Sequence, residues 1–231
     1  MTNSPIKTRG ELHLVLMLTL TFSTGIIDAV GYLGLDRVFT GNMTGNVVIL
    51  GMALLGADNL PVLGPIIALV GFLAGAATAG RVLRPILAGW SQRTTTLLAI
   101  VGALILVIAI ALLGTGQSVA PWLQYSVTGL LGYAMGMQAG TARHIAVKDV
   151  TTVVVTSTLA GLAADSWLAG GSGQPWKRRA GSVVLIGLGA LCGAASLHVH
   201  IGLGLVISAL LTLIVAWAGH TAKFAPDAAA A

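Results

Sequence analysis

The sequence predicts an all-α membrane protein with six full transmembrane helices, two re-entrant or broken half-helices and an inverted 3+3 repeat. Three observations predict this fold: an apolar composition, eight apolar segments of unequal length, and motifs that recur in both halves. Hydrophobic residues make up 56% of the 231 and charged residues 8%, against about 25% charged residues in soluble domains. Such a chain cannot form a water-facing surface, and spans in lipid are helical because a helix satisfies its own backbone groups.

The apolar segments differ in length, and most approach the roughly 20 residues that a helix needs to cross a bilayer. The first follows Lys7 and Arg9 and is similar to a secretory signal, but we expect a retained helix because its polar pattern recurs later in the chain. The second and sixth open with polar residues, at 40–46 and 151–158. The eight segments are 12–35, 40–55, 61–80, 95–114, 121–142, 150–169, 181–197 and 201–218.

The basic residues favour one topology over another. If all eight segments crossed, the twelve Lys and Arg residues would divide equally between the two sides. If the second and sixth segments enter and leave by the same face, Arg37 alone lies outside. Basic residues concentrate on the cytoplasmic side of membrane proteins. We therefore predict six crossings, with both termini cytoplasmic.

The two halves of the chain resemble each other. The residues at 73–78 match those at 191–196 closely, Gly71 matches Gly189, and segments one and five align 25–28 with 136–139. The alternative is chance, since Gly, Ala and Leu dominate membrane helices. A real repeat with three crossings per half would be inverted, as in many transporters, and its two polar segments would enter from opposite faces and meet near the centre. We predict that Gly71, Gly75, Gly189 and Gly193 are close-packing positions between helices. The predicted organisation is a tail at 1–10, repeats at 11–115 and 116–219, and a tail at 220–231.

Polar residues inside the apolar segments are the candidate site. Glycines at 40–46 let the backbone bend, and the helix that follows would present its positive end and free N–H groups to an anionic or strongly polar ligand. Asp28 is costly inside a membrane and suggests proton coupling or solute contact. The alternatives, a capped turn without ligand and a hydrated acid near the surface, stay open. The candidate solute-binding residues are Asp28, Asn42, Thr44, Gly45, Asn46, Gln138, Thr152, Thr156 and Thr158.

Other functional classes have little support. The net charge of +5 does not indicate nucleic-acid binding, because the basic residues lie in short loops. The single cysteine, Cys192, excludes an intramolecular disulfide. We find no nucleotide-binding loop, zinc-protease helix or serine nucleophile elbow. We therefore expect no enzymatic activity, no cofactor and no metal site.

Several motifs together carry a family resemblance. They are Gly25-Ile26-Ile27-Asp28, Phe39, Met43-Thr44-Gly45-Asn46, Gly136-Met137-Gln138-Ala139 with Arg143, and Asp149-Val150-Thr151-Thr152. The set resembles the YoaK-like family of bacterial integral membrane proteins, a domain-of-unknown-function family, over 25–218. The resemblance implies a bacterial inner-membrane protein of about six spans, and it implies no activity.

The sequence therefore favours a small secondary transporter or channel-like permease for a small polar or anionic solute. The alternative is a non-transporting membrane scaffold or accessory subunit, in which the polar motifs only lock helix packing. The expected partners are the lipid bilayer and this solute, without nucleic acid. Whether the chain forms a homo-oligomer is left open.

Overall fold

The structure, a computed structural model, describes residues 9–115, 119–145, 155–171 and 176–223. These ranges contain eight α-helices, two single 3-10 turns and no β-strand, which confirms the predicted all-helical class. The helices are α1 (Arg9–Gly34), α2 (Met43–Ala53), α3 (Leu63–Leu83), α4 (Gln92–Leu113), α5 (Pro121–Ile145), α6 (Val155–Ala164), α7 (Trp176–Leu197) and α8 (Ile201–Lys223).

The helices fall into two length classes. Six have 21 to 26 residues, and five of these, α1, α3, α4, α7 and α8, are long and apolar enough to cross a membrane. The sixth, α5, is long but more polar. By contrast α2 has 11 residues and α6 has 10, so each spans about 15 Å, half of a hydrocarbon core. The second and sixth apolar segments therefore contain only short helices in the described ranges.

The long helices run in two opposite directions. In α7, Gly189 and Gly193 approach Phe22 and Ile26 of α1, so α7 runs parallel to α1. The close approaches of α3 to α5 show that this pair is also parallel. In contrast α8 runs antiparallel to α4, because Gly202 lies on Ala109 at one end of the pair. Three helices, α1, α4 and α7, therefore run one way, and α3, α5 and α8 run the other.

Glycines allow these helix pairs to approach backbone to backbone. A Cβ on Gly75 would fall on the carbonyl oxygen of Tyr133 in α5, and a Cβ on Gly189 would fall on that of Phe22 in α1. Small residues at such positions let membrane helices pack closely, where van der Waals contact replaces the missing hydrophobic drive. These contacts confirm the predicted role of the glycines in α3 and α7 as close-packing positions.

The two ends of α2 lie at the same end of the bundle. Arg37 follows α1 and Asp58 follows α2, and Arg37 Nη1 lies 3.7 Å from Asp58 Oδ2. The same guanidinium donates to the backbone carbonyl of Asp58 at 3.5 Å. Both side chains are exposed, so the ion pair adds little stability. The ion pair shows instead that the chain enters and leaves α2 at the same end of the bundle.

The short helix α6 lies against the start of α7. Arg179 of α7 donates to the carbonyl of Gly161 at 2.8 Å and pairs with the carboxylate of Asp165. In the described ranges α6 contacts α7 and the following 3-10 turn, and it does not contact α2. The two polar segments were expected to meet near the centre, and the described parts of their helices do not.

Candidate functional site

Asp28 lies in α1, about 9 Å before the helix ends at Gly34 by the rise per residue. The chain leaves α1, turns back, and brings the backbone at 40–41 against the same face of the helix. Asp28 Oδ1 accepts hydrogen bonds from the N–H groups of Thr40 at 3.0 Å and Gly41 at 2.7 Å. A carboxylate inside an apolar helix is expensive, and two backbone donors offset part of that cost.

Gly41 lies beside Thr24, Asp28 and Met135. We call these residues, together with Thr40 and Gln138, the Asp28 cluster. A Cβ at this position would lie 3.1 Å from Thr24 Cγ2, 3.3 Å from Asp28 Oδ1 and 3.3 Å from Met135 Cε. Thr24 and Asp28 are four residues apart on one face of α1, and Met135 belongs to α5. The backbone at Gly41 therefore fits between α1 and α5, and this close approach requires a small residue.

Asn46 fixes the turn that precedes α2. Its Oδ1 accepts from the N–H of Phe39 at 3.0 Å, and its Nδ2 donates to the carbonyl of Phe39 at 2.6 Å. Asn42 is the N-cap of α2, and its Oδ1 accepts from the N–H of Gly45 at 3.1 Å. Gly45 in turn leaves room for the ring of Phe39. Three of the predicted residues thus build the turn itself.

Gln138 of α5 is fully buried and joins the cluster through α1. Its Nε2 donates to Thr24 Oγ1 at 3.1 Å, and Thr24 Oγ1 donates to the carbonyl of Leu20 at 2.9 Å. This chain of bonds fixes the orientation of the amide. Among the described residues, Gln138 Oε1 and the buried Thr40 Oγ1 have no hydrogen-bond partner. The cluster therefore keeps buried oxygen atoms that can accept a hydrogen bond.

An open groove of about 430 Å³ borders Asp28 between α1 and α7. Of the lining residues that the structure describes, Asp28 is the only charged one. Tyr32 and Phe39 line the groove with stacked rings whose centroids are 4.8 Å apart. The other lining residues are aliphatic or glycine: Gly25, Ala29, Leu33, Ile186, Gly187, Ala190, Leu191 and Ala194.

The other predicted site residues lie apart from this cluster. Thr44 is exposed on the first turn of α2. Thr156 is exposed and Thr158 half-buried in α6, which packs on α7. Thr152 lies outside the described residues. Of the nine predicted residues, the structure therefore brings Asp28, Asn42, Gly45, Asn46 and Gln138 to one region.

Sequence reasoning missed several contributors to the region, among them Gly41, the second backbone donor to Asp28. Thr24 bonds Gln138, Thr40 supplies a backbone donor to Asp28, and Tyr32 stacks on Phe39. The spacing of Thr24, Asp28 and Tyr32, four residues apart in α1, is the pattern that could have identified two of them, because such residues share one helix face.

Comparisons with known proteins identify relatives of the whole bundle. A family model described as a protein of unknown function, DUF1275, matches residues 16–218. The chain is also 31% identical, over 154 residues, to the UPF0700 transmembrane protein YoaK of Bacillus subtilis (strain 168). The chain spans 65% of the length of that relative, and the match covers 65% of this chain. No solved structure matches.

The family match extends from α1 to α8 and includes every residue of the Asp28 cluster. The resemblance predicted from the short motifs is confirmed. The apolar helices and the transmembrane relative also support the coarser part of the predicted location, a multi-pass membrane protein. The chain belongs to the DUF1275 family, which agrees with the resemblance of its motifs to the YoaK-like family.

Proposed function

We propose that the protein is a small secondary transporter or channel-like permease of the bacterial inner membrane. The observation that carries the proposal is Asp28, a carboxylate held by backbone N–H groups inside a candidate span and bordering an open groove. Ionisable residues within membrane spans commonly mark solute or proton pathways. A carboxylate that only stabilised helix packing would not need to border an open groove.

The proposal includes six crossings, with α5 as the sixth. This helix has 25 residues, enough to span a bilayer with some tilt. It is less apolar than the other five long helices, and twelve of its residues are buried, among them Thr128, Gln138 and Thr141. Buried polar residues face neighbouring helices and not lipid, which fits the lower apolar content of α5.

The pattern of helix contacts supports an inverted repeat. Exchanging α1 with α5, α3 with α7 and α4 with α8 turns the α1–α7 pair into the α5–α3 pair, and leaves the α4–α8 pair unchanged. Gly71 and Gly75 meet Gly129 and Tyr133 as Gly189 and Gly193 meet Phe22 and Ile26. This register differs by one helical turn from the sequence alignment of segments one and five, because it makes Gly25 equivalent to Gly132 rather than Gly136.

The site favours a neutral polar or cationic solute over an anion. The N–H groups of Thr40, Gly41 and Gly45, which an anion would need, already bind Asp28 and Asn42. The groups left over are the carboxylate and the buried oxygen of Gln138, which accept, and the Thr40 hydroxyl, which can accept or donate. A ligand that donates hydrogen bonds or carries positive charge complements them.

The permease proposal predicts that Asp28→Asn abolishes transport without unfolding the protein. Asparagine keeps an oxygen that can accept from Thr40 and Gly41, and removes the charge. Solutes are first found by a thermal-shift screen of small amines, amino acids and sugars, in which a ligand at 100 times its Kd stabilises by about 2.7 kcal/mol. Uptake of each hit is then measured in proteoliposomes. Equal uptake by Asp28→Asn and the unaltered protein would remove Asp28 from the mechanism.

The six-crossing topology predicts that Asp58 and Trp176 lie on opposite sides of the membrane. Single cysteines at these positions, in a Cys192→Ser background, are treated with an impermeant maleimide in intact cells. We expect Asp58→Cys to react from outside and Trp176→Cys only after the membrane is opened. Eight crossings would place both positions inside, so protection of Asp58→Cys in intact cells contradicts the proposal.

A non-transporting scaffold is the second candidate, and the hydrogen bonds of Asn46 favour it. Both polar atoms of its amide are used to lock the turn at Phe39. If the Asp28 bonds have the same purpose, Asp28→Asn would lower thermal stability in every condition and no solute would stabilise the unaltered protein. The thermal-shift screen therefore separates the two candidates.

A further inference from the structure

The groove between α1 and α7 combines apolar walls with one carboxylate. Its volume of about 430 Å³ lies within the range of small-molecule sites, which are mainly apolar with a few placed polar groups. Asp28 supplies the polar group, and both hydrogen bonds described for its carboxylate end on Oδ1. The backbone donors thus fix the carboxylate beside the groove.

The charged residues that line the groove indicate which charge a ligand would carry. Among the described residues that line it, Asp28 is the only charged one and none is basic, so an anion would be repelled. A cation would contact the carboxylate in surroundings of low dielectric constant, where the attraction exceeds that in water. Tyr32 and Phe39 also line the groove, and an aromatic ring attracts a positive charge that lies over an uncovered face.

The apolar walls indicate that the other groups of the ligand are apolar. Leu33 and Leu191 are 60% and 68% exposed at the rim, on helices that are candidate spans. Because both helices are candidate spans, a bilayer around them would place this rim next to lipid. A small hydrated ion would have to shed water against aliphatic walls, whereas a cation with apolar substituents could reach the groove from the bilayer.

We propose that this groove binds an amphipathic organic cation, with its charged centre beside Asp28 and its apolar groups between α1 and α7. The ligand enters sideways from the bilayer, past Leu33 and Leu191. The proposal names a substrate class for the permease and rests on the proposed function for its role in transport, whereas binding itself can be measured separately.

The test compares two probes of nearly the same size and shape but opposite charge. Binding of tetraphenylphosphonium and of tetraphenylborate to the purified full chain in detergent is measured by isothermal titration calorimetry. We expect saturable binding of one phosphonium ion per chain and no saturable binding of the borate. Equal binding of both ions would show partition into apolar surface and overturn the proposal.

Two variants address the two parts of the groove. Asp28→Asn is expected to weaken phosphonium binding by about tenfold or more, because the charge contact is lost. Gly187→Leu fills the groove from α7, and since nothing lies within 4 Å of a Cβ there, we expect a folded protein that also loses binding. The matched control, Asp36→Asn, removes an exposed acid outside the groove and should bind normally. Unchanged affinity in both Asp28→Asn and Gly187→Leu overturns the proposal.

Transport is measured apart from binding. Proteoliposomes are assayed for phosphonium uptake and for uptake of the solutes found in the screen. Phosphonium binding with the expected variant pattern supports the groove site even if no solute is transported, a result that would count against the permease. Transport of another solute without saturable phosphonium binding would keep the permease and overturn the groove site.

Discussion

Replacing Gly75 or Gly189 by leucine is expected to prevent the bundle from closing. The first side-chain atom at Gly75 would fall on the carbonyl oxygen of Tyr133, and at Gly189 on that of Phe22. Neither obstacle is a flexible side chain, so the helices α3 and α5, or α1 and α7, must separate. The cost should exceed the roughly 1–3 kcal/mol of ordinary overpacking. We expect aggregated protein, or none, on size-exclusion chromatography in detergent.

The chain offers a matched control for each of these variants. Gly80 of α3 and Gly187 of α7 have nothing within 4 Å of a built Cβ. Leucine at either position should give a monodisperse protein with near-normal thermal stability, since glycine is a poor helix former. If Gly75→Leu and Gly80→Leu elute and melt alike, the close approach of α3 to α5 is wrong.

Replacing Asn46 by alanine is expected to give the second largest loss of stability. The substitution leaves both the N–H and the carbonyl of Phe39 without their partner. Each unsatisfied buried group costs about 1–3 kcal/mol, and Phe39 is only part-buried, so the free energy of unfolding should fall by an amount near the lower end of roughly 2–6 kcal/mol. The measurement is the thermal melting of purified protein in detergent, followed by the fluorescence of its tryptophans.

Asn42→Ala is the control for the same turn. This residue is exposed and caps α2 through one hydrogen bond to Gly45. Loss of an N-cap costs about 1 kcal/mol, so the variant should melt only slightly below the unaltered protein. If the two variants melt at the same temperature, Asn46 does not hold the turn as described.

The sequence was informative where a residue is unusual for its surroundings. Asp28 stands out in an apolar segment, and Asn46 stands out at the start of one, so both could be identified without coordinates. The glycines at 71, 75, 189 and 193 were predicted to allow close packing, because small residues at helical spacing have few other uses in a membrane helix.

The partners of these residues could not be predicted, because they depend on how the chain folds back. Which backbone groups reach Asp28 depends on the return of 40–41 against α1. Thr24 and Thr40 are ordinary residues in membrane segments and became relevant only through that contact. The polar residues of α5 also make it difficult to identify as a span, because their burial depends on how α5 packs against the other helices. The same limit applies to α6, whose threonines resemble those of α2 but pack on α7.

The parallel pairing of α1 with α7 constrains how the protein is made. A ribosome delivers α1 to the translocon first, and about 140 further residues must be synthesised before α7 arrives to cover Gly25 and the face of Asp28. The nascent α1 must meanwhile retain its carboxylate among lipids or beside an insertion factor. The 40–41 backbone emerges within a few residues of α1 and can reach Asp28 early. These two N–H groups can therefore satisfy the carboxylate before the late helices complete the bundle.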